Sequence, residues 1–477
     1  FKGSMMAKRD SLKSDNTVAF RNCQGTTAIG TLLRISRAAV VFEVYNPYSI
    51  VQLSEVLTNV TIRRGERTIY DGKAVVTNLV NTGLMLIVSA SLVDPWSDLT
   101  DLTPGPMLRQ EVGDFIEDWS TANAKLTTPY KDAIINARNF LQELSRWLEH
   151  GETLAGIREI ASREELAAEF VADVAQRSIP KLCELFATFE EIANQVPRKV
   201  LNTHKAFAQR ELHPMLMCAP YIHRTFTKPL GYAGDYEMVN MILRNGWDGA
   251  NTYAKVINAF PLTVDTAQAH RNRIDFLVSY LESESARVAG SGARLNVLNI
   301  GCGPAIEVQR FIKKDELANR TCIELLDFND ETLAHTRQST DALRAAHRSE
   351  IELTYTHKSI HDLLQEASAR SARTPRFDYV YCAGLFDYLS DPICSRLLEL
   401  FYDWTMPGGL VVATNVHSSH PSKAFMEHIL EWSLVLRDEA GMAALAPALG
   451  FQAVRAEQTG VNVFLEIRKP RSAEVSQ

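Results

Sequence analysis

An apolar run, Val297-Leu298-Asn299-Ile300, ends directly on Gly301-Cys302-Gly303-Pro304, and amphipathic text resumes at once from Ile306. A strand running through Gly-x-Gly into a helix restricts the geometry tightly. One glycine allows a sharp turn, and the second lets backbone come close to whatever lies over the strand end. The surrounding text agrees with this reading. Residues 271–281 predict a helix, 295–300 a strand, 306–313 a helix and 322–326 a strand. Residues 331–348 then predict a helix, 351–356 and 377–382 strands, 393–404 a helix, and 409–414, 452–457 and 462–467 strands. Such alternation predicts an α/β fold, a doubly wound (Rossmann-like) C-terminal domain with helices on both faces of its sheet.

The front of the chain reads differently. Between residues 18 and 93, runs rich in Val, Ile, Thr and Leu (29–35, 39–44, 57–63, 74–79 and 84–89) are punctuated by Asn46-Pro47, Arg64-Gly65 and Asp71-Gly72. That is the pattern of a small antiparallel barrel or sandwich. Asp94-Pro95-Trp96 and Pro104-Gly105-Pro106 break it and mark a linker. Residues 108–259 then turn helical, with Phe115, Ile116 and Trp119, then Phe140, Leu141, Leu144, Trp147 and Leu148, then Leu182, Leu185, Phe186, Phe189 and Ile192 at helical spacing. These stripes are expected to be core faces. The expected division is a β domain over residues 1–104, a helical lid or substrate domain over 105–262 and the doubly wound domain over 263–477. Phe1-Lys2-Gly3-Ser4, ahead of Met5-Met6, reads as a cloning remnant.

Composition excludes several classes. The 477 residues are 46% hydrophobic and 22% charged, which rules out a disordered or fibrous chain. Fifty Lys and Arg against 57 Asp and Glu give a net charge of −7, the opposite of the basic footprint of a nucleic-acid binder. The longest apolar runs fall far short of the ~18 residues that a membrane span needs, and no signal peptide opens the sequence. Seven cysteines, odd in number and without a Cys-x-x-Cys, indicate neither a disulfide framework nor a zinc ribbon. The paired histidines at 357 and 361 and at 417 and 420 lack a third ligand nearby. The expectation is a cytoplasmic protein with no membrane span, no nucleic-acid partner and no metal.

Asp327 ends the run Leu325-Leu326-Asp327, 24 positions after Gly303. A carboxylate there can accept hydrogen bonds from both hydroxyls of a ribose. Its competing use, capping the helix that starts near residue 331, suits Asn329 or Asp330 better. The dinucleotide fingerprint fails at its third glycine, because Ile306 stands in that place. With no pyrophosphate to hold, the helix N-terminus can face a carboxylate and an amino group, which are the ends of S-adenosylmethionine.

The strand at 377–382 leads into Cys382-Ala383-Gly384-Leu385-Phe386-Asp387-Tyr388, and Met406-Pro407-Gly408-Gly409 precedes the strand Leu410-Val411-Val412-Ala413-Thr414. With the closing strand pair, residues 269–469 resemble the class I S-adenosylmethionine-dependent methyltransferases. The resemblance implies that Asn299, Gly301 and Gly303 line the methionine portion and that Asp327 holds the ribose. Phe328 and Asn329 would lie beside the adenosine, Ser359 and Ile360 with His361 would flank the adenine, and Cys382, Ala383 and Gly384 would lie under the sulfonium. Two positions depart from the pattern. Asn299 stands where the family commonly has an acidic residue, and Ala305 where it often has a third glycine.

Lys228-Pro229-Leu230-Gly231-Tyr232-Ala233-Gly234-Asp235-Tyr236 is either a lid over the acceptor or a structured turn between helices. This loop and the layout resemble bacterial 3-hydroxypalmitic acid methyl ester synthases over residues 105–469. That likeness implies a small-molecule or fatty-acyl substrate, a 3-hydroxy fatty acid methylated on its carboxylate to give a quorum-sensing ester. A carboxylate with a pKa near ~4.3 is already ionised at neutral pH, so its attack needs positioning and exclusion of water more than a base. Arg224, Tyr232, Tyr236, Asn415 and Arg437 are candidates to orient it, with Tyr388 and His417 as catalytic candidates. His417 would be the base for a hydroxyl or amine acceptor. The helical segment would supply an apolar tunnel for an acyl chain.

The N-terminal β unit resembles PilZ domains, which bind cyclic di-GMP. Arg34-Ile35-Ser36-Arg37-Ala38-Ala39 lies where that family has an Asp/Asn-x-Ser-x-x-Gly turn, but no Arg-x-x-x-Arg precedes it. Bidentate phosphate capture is therefore not expected, and the module reads as one for packing, homodimerisation or partner contact. Two functional classes stay open: a methyltransferase, or a nucleotide-sensing protein whose methyltransferase-like domain no longer turns over.

Overall fold

Alternation of buried and exposed residues builds the N-terminal strands of the computed structural model, which describes residues 16–45, 51–64, 67–82, 85–96, 106–154, 164–368 and 374–471. Strands β1 (Asn16–Arg21), β2 (Thr27–Ile35), β3 (Ala39–Tyr45), β4 (Val56–Arg64), β5 (Arg67–Asn81) and β6 (Met85–Leu92) close an antiparallel barrel in the order β1-β2-β3-β6-β5-β4. Val18, Phe20, Val40, Phe42, Val60, Ile62 and Val88 fill its interior, every second residue along each strand. The five runs expected from sequence are recovered, and β1 adds a sixth. Asp71-Gly72 does not turn the chain as expected, because it lies inside β5. A Cβ on Gly72 would stand 2.6 Å from the Asp94 side chain, whose carboxylate accepts from the Lys73 N–H at 2.6 Å. Close approach, not a turn, accounts for this glycine. The turns expected at Asn46-Pro47 and Gly65 lie outside the described residues.

By its contacts the chain forms two compact units. The first comprises Phe1–Ala233, Gly246–Pro261 and Ser422–Ser433, and the second comprises Gly234–Asn245, Leu262–Pro421 and Leu434–Gln477. Besides the barrel, the first unit holds helices α1 (Pro106–Lys125), α2 (Thr128–Leu154), α3 (Glu164–Ala193), α4 (Leu201–Leu216) and α5 (Pro220–Thr227). Leu141, Leu148, Leu182, Phe186 and Phe189 are buried, as their spacing predicts. Ile116, Trp119 and Trp147 are not, being 55%, 55% and 63% exposed. Helical spacing identifies an apolar face without identifying what covers it. The rings of Tyr130, Phe186, Phe189, Phe260 and Phe425 interlock with centroids 5.1 to 6.3 Å apart. At these positions the helical interior, expected to form a tunnel, is filled by its own side chains.

The loop from Lys228 is tied down. The Gly231 carbonyl accepts from the Val56 N–H of β4 at 2.7 Å, and Lys228 Nζ donates to the Leu430 carbonyl at 3.0 Å. Burial pulls that ammonium down to about 7. Gly231 has φ +86°, and a Cβ there would press on Cys23 at 3.0 Å. Residues 228–231 thus form a structured turn fastened to the barrel.

The second unit begins with α6 (Tyr236–Arg244); α7 (Thr252–Thr263) lies in the first unit up to Pro261, and α8 (Asp265–Ala289) follows in the second. Its sheet contains β7 (Leu295–Ile300), β8 (Thr321–Asp327), β9 (Glu352–His357), β10 (Phe377–Cys382), β11 (Thr405–Val416), β12 (Phe451–Ala456) and β13 (Asn462–Arg468), in the order β12-β13-β11-β10-β7-β8-β9. Neighbours pair in parallel except β13, which is antiparallel to both β11 and β12. Connecting helices are α9 (Ile306–Ile312), α10 (Asp330–His347), α11 (Ile360–Ser368), α12 (Asp391–Trp404) and α13 (Glu439–Ala443). The chain winds outward from β7 to β9, then returns to place β10 on the other side of β7. That reversal opens a crevice at the carboxyl ends of β7 and β10, where ligands of doubly wound sheets bind. Among the described residues, no helix is long and apolar enough to cross a membrane.

Candidate functional site

Beyond Ile300 the backbone takes left-handed conformations three times, at Gly301 (φ +68°), Gly303 (φ +52°) and Ala305 (φ +48°). The amides of Gly301 and Cys302 donate to the Leu326 carbonyl at 2.9 and 3.0 Å. From α10, Thr336 Oγ1 donates to the Gly303 carbonyl at 2.6 Å. The loop is therefore fixed from below, while its upper side is open. A Cβ on Gly303 would meet nothing within 4 Å, and one on Gly301 only the Leu385 side chain at 3.9 Å. Ala305 holds by packing a conformation that costs a non-glycine residue about 1–2 kcal/mol.

Asp327 closes the floor. Its Oδ2 accepts from the Gly303 N–H at 3.1 Å and its Oδ1 from the Asn329 N–H at 3.0 Å. Burial pushes this carboxyl above its ordinary value, and the backbone donors hold it back. The Phe328 backbone N–H is a third donor to this carboxylate, which leaves about one of its four lone-pair sites for a further donor. Asn329 caps α10 by accepting from Thr332 N at 2.9 Å, the role expected of Asn329 or Asp330. Phe328 is half-buried, and its carbonyl meets His357 Nε2 at 2.8 Å. Ser359 and Asp362 form a capping box for α11, with Ser359 N donating to Asp362 Oδ2 at 2.9 Å and Asp362 N to Ser359 Oγ at 3.2 Å. Ile360 is buried and His361 exposed.

Across the crevice, Cys382 is fully buried, which drives its thiol pKa up, and Ala383 is half-buried. Gly384, at φ +90°, donates its N–H to Thr414 Oγ1 at 3.2 Å. A Cβ on Gly384 would stand 3.3 Å from Arg273 Nη1 of α8. Beneath the loop, Asn299 Nδ2 and the Tyr381 hydroxyl both donate to Glu307 Oε1, at 3.0 and 2.8 Å. Burial pushes the Glu307 carboxyl up, with Arg273 among the groups opposing it. Sequence reasoning singled out none of Arg273, Glu307, Tyr381 or Thr414. Glu307 carried a signal, as an acid in the first turn after the glycine loop, whereas Arg273 carried none.

Several acceptor-side expectations need correction. All five N–H donors of Arg437 are committed inside the fold. Nε and Nη2 donate to Asp391 Oδ1, Nη1 to the Phe386 carbonyl and Asn415 Oδ1, and Nη2 also to the Leu389 carbonyl, at 2.6 to 2.9 Å. Asn415 is fully buried, and its Nδ2 donates to the carbonyls of Val416 and Val435. Neither side chain has a donor left for a substrate carboxylate, because both pin the segments that follow β10 and β11. His417 Nδ1 meets Ser419 Oγ at 2.6 Å and its Nε2 meets Glu439 Oε2 at 3.0 Å, so both ring nitrogens are engaged. Tyr388 is half-buried in the turn Phe386–Tyr388. Tyr236 stacks on His335 at 4.5 Å and donates to Glu331 Oε1 at 2.9 Å. Arg224, on α5, and Tyr232 belong to the first unit.

Asp387 supplies a pH test. It is buried, its Oδ1 accepts from Val416 N at 2.6 Å, and burial raises its carboxyl pKa to about 6 against the pull of Arg273 and Arg437. A carboxyl raised on folding contributes stability that is complete below its unfolded pKa of about 4 and is lost as pH rises through its folded value. Asp387→Asn keeps the acceptor oxygen and removes the titration. Urea unfolding between pH 4 and 7 is expected to show the wild type losing more stability with rising pH than the variant. Parallel pH profiles would overturn this assignment.

No protein-family model matches the chain, and no curated protein matches it in sequence. Among solved structures, one described as a possible exported protein from Bordetella parapertussis is 16% identical and aligns over 52% of this chain and 86% of its own, with a TM-score of 0.40. Magnesium protoporphyrin IX methyltransferase from Synechocystis PCC 6803 with bound SAH is 11% identical over 48% and 93%, with a TM-score of 0.33. The chain is also similar to the N-methyltransferase NodS from Bradyrhizobium japonicum WM9 in complex with S-adenosylhomocysteine, at 17% identity over 50% and 98% and a TM-score of 0.31.

Proposed function

We propose that the second unit binds S-adenosylmethionine and transfers its methyl group to a carboxylate. The observation that carries this reading is the open glycine loop at the sheet's switch point, with the Asp327 carboxylate bonded to it from the next strand. The sheet order supports it too, since an antiparallel strand between the fifth and sixth is the arrangement of the class I methyltransferases. The residues fit the group. Room above Gly301 and Gly303 admits the methionine portion, and Asp327 offers an acceptor for a ribose hydroxyl. Phe328 and Asn329 lie one and two residues beyond Asp327, where an adenosine would follow, Ser359 and Ile360 end β9's loop, and Cys382 to Gly384 edge the crevice. When bound, the cofactor supplies an electrophilic methyl group, and the chain's own residues hold the acceptor in line and exclude water.

The acceptor in this reading is a 3-hydroxy fatty acid, as the resemblance implies. Engagement of both His417 nitrogens supports an acceptor that is already ionised over one that must lose a proton. Tyr236 and Tyr388 are the residues of this unit assigned to orient it. Calorimetric titration of the whole chain with S-adenosylmethionine, then incubation with labelled cofactor and a panel of 3-hydroxy fatty acids, short acids and amino acids, tests both steps. Cofactor binding and a methyl ester of a 3-hydroxy acid are expected. Binding of cyclic di-GMP without binding of S-adenosylmethionine would replace this reading with the nucleotide-sensing one.

A further inference from the structure

His417 directly follows β11, so it stands at the carboxyl edge of the sheet, where doubly wound folds bind their ligands. Its backbone is held from two sides. The His417 N–H donates to the Val461 carbonyl at 2.6 Å, and the His417 carbonyl accepts from the His420 N–H at 3.1 Å. The ring is held as firmly. Ser419 donates its backbone N–H to Nδ1 at 3.1 Å, which makes Nδ1 an acceptor and puts the proton of a neutral imidazole on Nε2. That proton faces Glu439 Oε2, 3.0 Å from Nε2. The Ser419 hydroxyl, with Oγ 2.6 Å from Nδ1, then donates to the unprotonated nitrogen.

Glu439 comes from a separate element. It is the first residue of α13, whose start is fixed by Asp438 accepting from the Gly441 N–H at 2.7 Å. Its own backbone N–H and then His417 hold its carboxyl below the ordinary value, so it is ionised at neutral pH. A carboxylate, an imidazole whose tautomer it sets and a hydroxyl on the other ring nitrogen are the three parts that activate a serine in hydrolases of unrelated fold. A local turn accounts for the bond between residues 417 and 419, but it calls for no carboxylate 22 positions further on. Access differs from part to part in the sense such chemistry needs. Ser419 is exposed to a substrate, while the side chain of its base is only 16% exposed.

We infer that Ser419, His417 and Glu439 form a second catalytic site, a hydrolytic centre for small carboxylic esters. Ser419 Oγ bonds to the ester's carbonyl carbon as its proton passes to His417 Nδ1. The carbon–oxygen bond to the alcohol then breaks, and the alcohol leaves with that proton. Water adds to the acyl carbon, giving a proton to Nδ1, and the bond to Oγ breaks as Ser419 takes the proton back. Ester and water thus give acid and alcohol. Glu439 stays ionised throughout and stabilises the imidazolium that forms between the steps. Ser419 and Glu439 both face solvent, so the site takes a small acyl group without a tunnel.

A fluorophosphonate reads this activation directly, because an activated serine bonds to its phosphorus and expels fluoride. The full chain is treated with the probe and digested, and the labelled peptide is identified by mass spectrometry. The label is expected on Ser419 and is lost in Ser419→Ala. His417→Gln should slow labelling about 100-fold or more, the usual worth of a general base. Glu439→Gln should slow it about 10- to 100-fold and Glu439→Asp should restore part of the rate, a rescue that a merely structural contact would not show. Hydrolysis of p-nitrophenyl acetate should fall in the same order. Ser419→Ala and Glu439→Gln alter exposed groups, so their urea midpoints are expected to stay at the wild-type value. An unlabelled Ser419 in the wild type, or a labelling rate indifferent to His417→Gln, would overturn this site. Methyl transfer is read separately, so either result stands without the other.

Discussion

Arg437→Ala is expected to destabilise the second unit by about 3–5 kcal/mol, the cost of breaking a buried charged network from one side. The substitution leaves the carbonyls of Phe386 and Leu389 and the Asn415 Oδ1 without their donor, and opens a hole where the guanidinium and its stem were packed. Asp391 is mostly exposed and can return to water, so the loss comes chiefly from the three buried acceptors. Arg437→Lys retains the charge but supplies one ammonium where five directed donors stood, and it should recover only part of the loss. Urea unfolding read by fluorescence gives the difference directly. The competing assignment, Arg437 as the anchor of the acceptor's carboxylate, makes the opposite forecast: near-wild-type stability with a large fall in kcat/KM. A stable, inactive Arg437→Ala would reinstate it.

Arg437 shows where a sequence stops being informative: only tertiary structure reveals that all of its donors are met inside the fold. What is local in the chain was legible. The bounds of β7 and β10, the left-handed glycines after Ile300, the placement of Asp327 at the end of β8 and the cap at Asn329 all follow from spacing and side-chain chemistry within a few residues. Asp71-Gly72 misled because a glycine needed for close approach to Asp94 has the same letter as one needed for a turn. Trp119 and Trp147 misled because amphipathic spacing is read without knowing what lies opposite. The insertion of β13 between β11 and β12 leaves no periodic trace, since strand order is set by connections and twist, not by the alternation inside any strand. Glu307 lies eight residues from Asn299, near enough to pair across a single turn, but a glutamate in a first helical turn is ordinarily read as a partner of the helix dipole.

The largest effect on ligand binding is expected from Gly303→Val. Two costs must be kept apart. At φ +52° a β-branched residue strains the backbone, and that penalty of about 1–2 kcal/mol falls on folding. The side chain itself meets no protein atom, because the space around a Cβ at this position is clear to 4 Å. It would instead project into the room above the loop. If that room receives the methionine portion of the cofactor, the valine occupies ligand volume in a rigid wall held by Leu326 and Thr336, and affinity should fall about 100-fold or more. Gly303→Ala carries much of the backbone strain with a smaller side chain, so it should lose a comparable amount of stability and far less affinity. Binding of S-adenosylhomocysteine by calorimetry, set beside urea midpoints for the same two variants, distinguishes the two costs. A valine variant that unfolds somewhat earlier yet binds within about threefold of wild type, a change of under ~1 kcal/mol, would show that the loop cradles nothing.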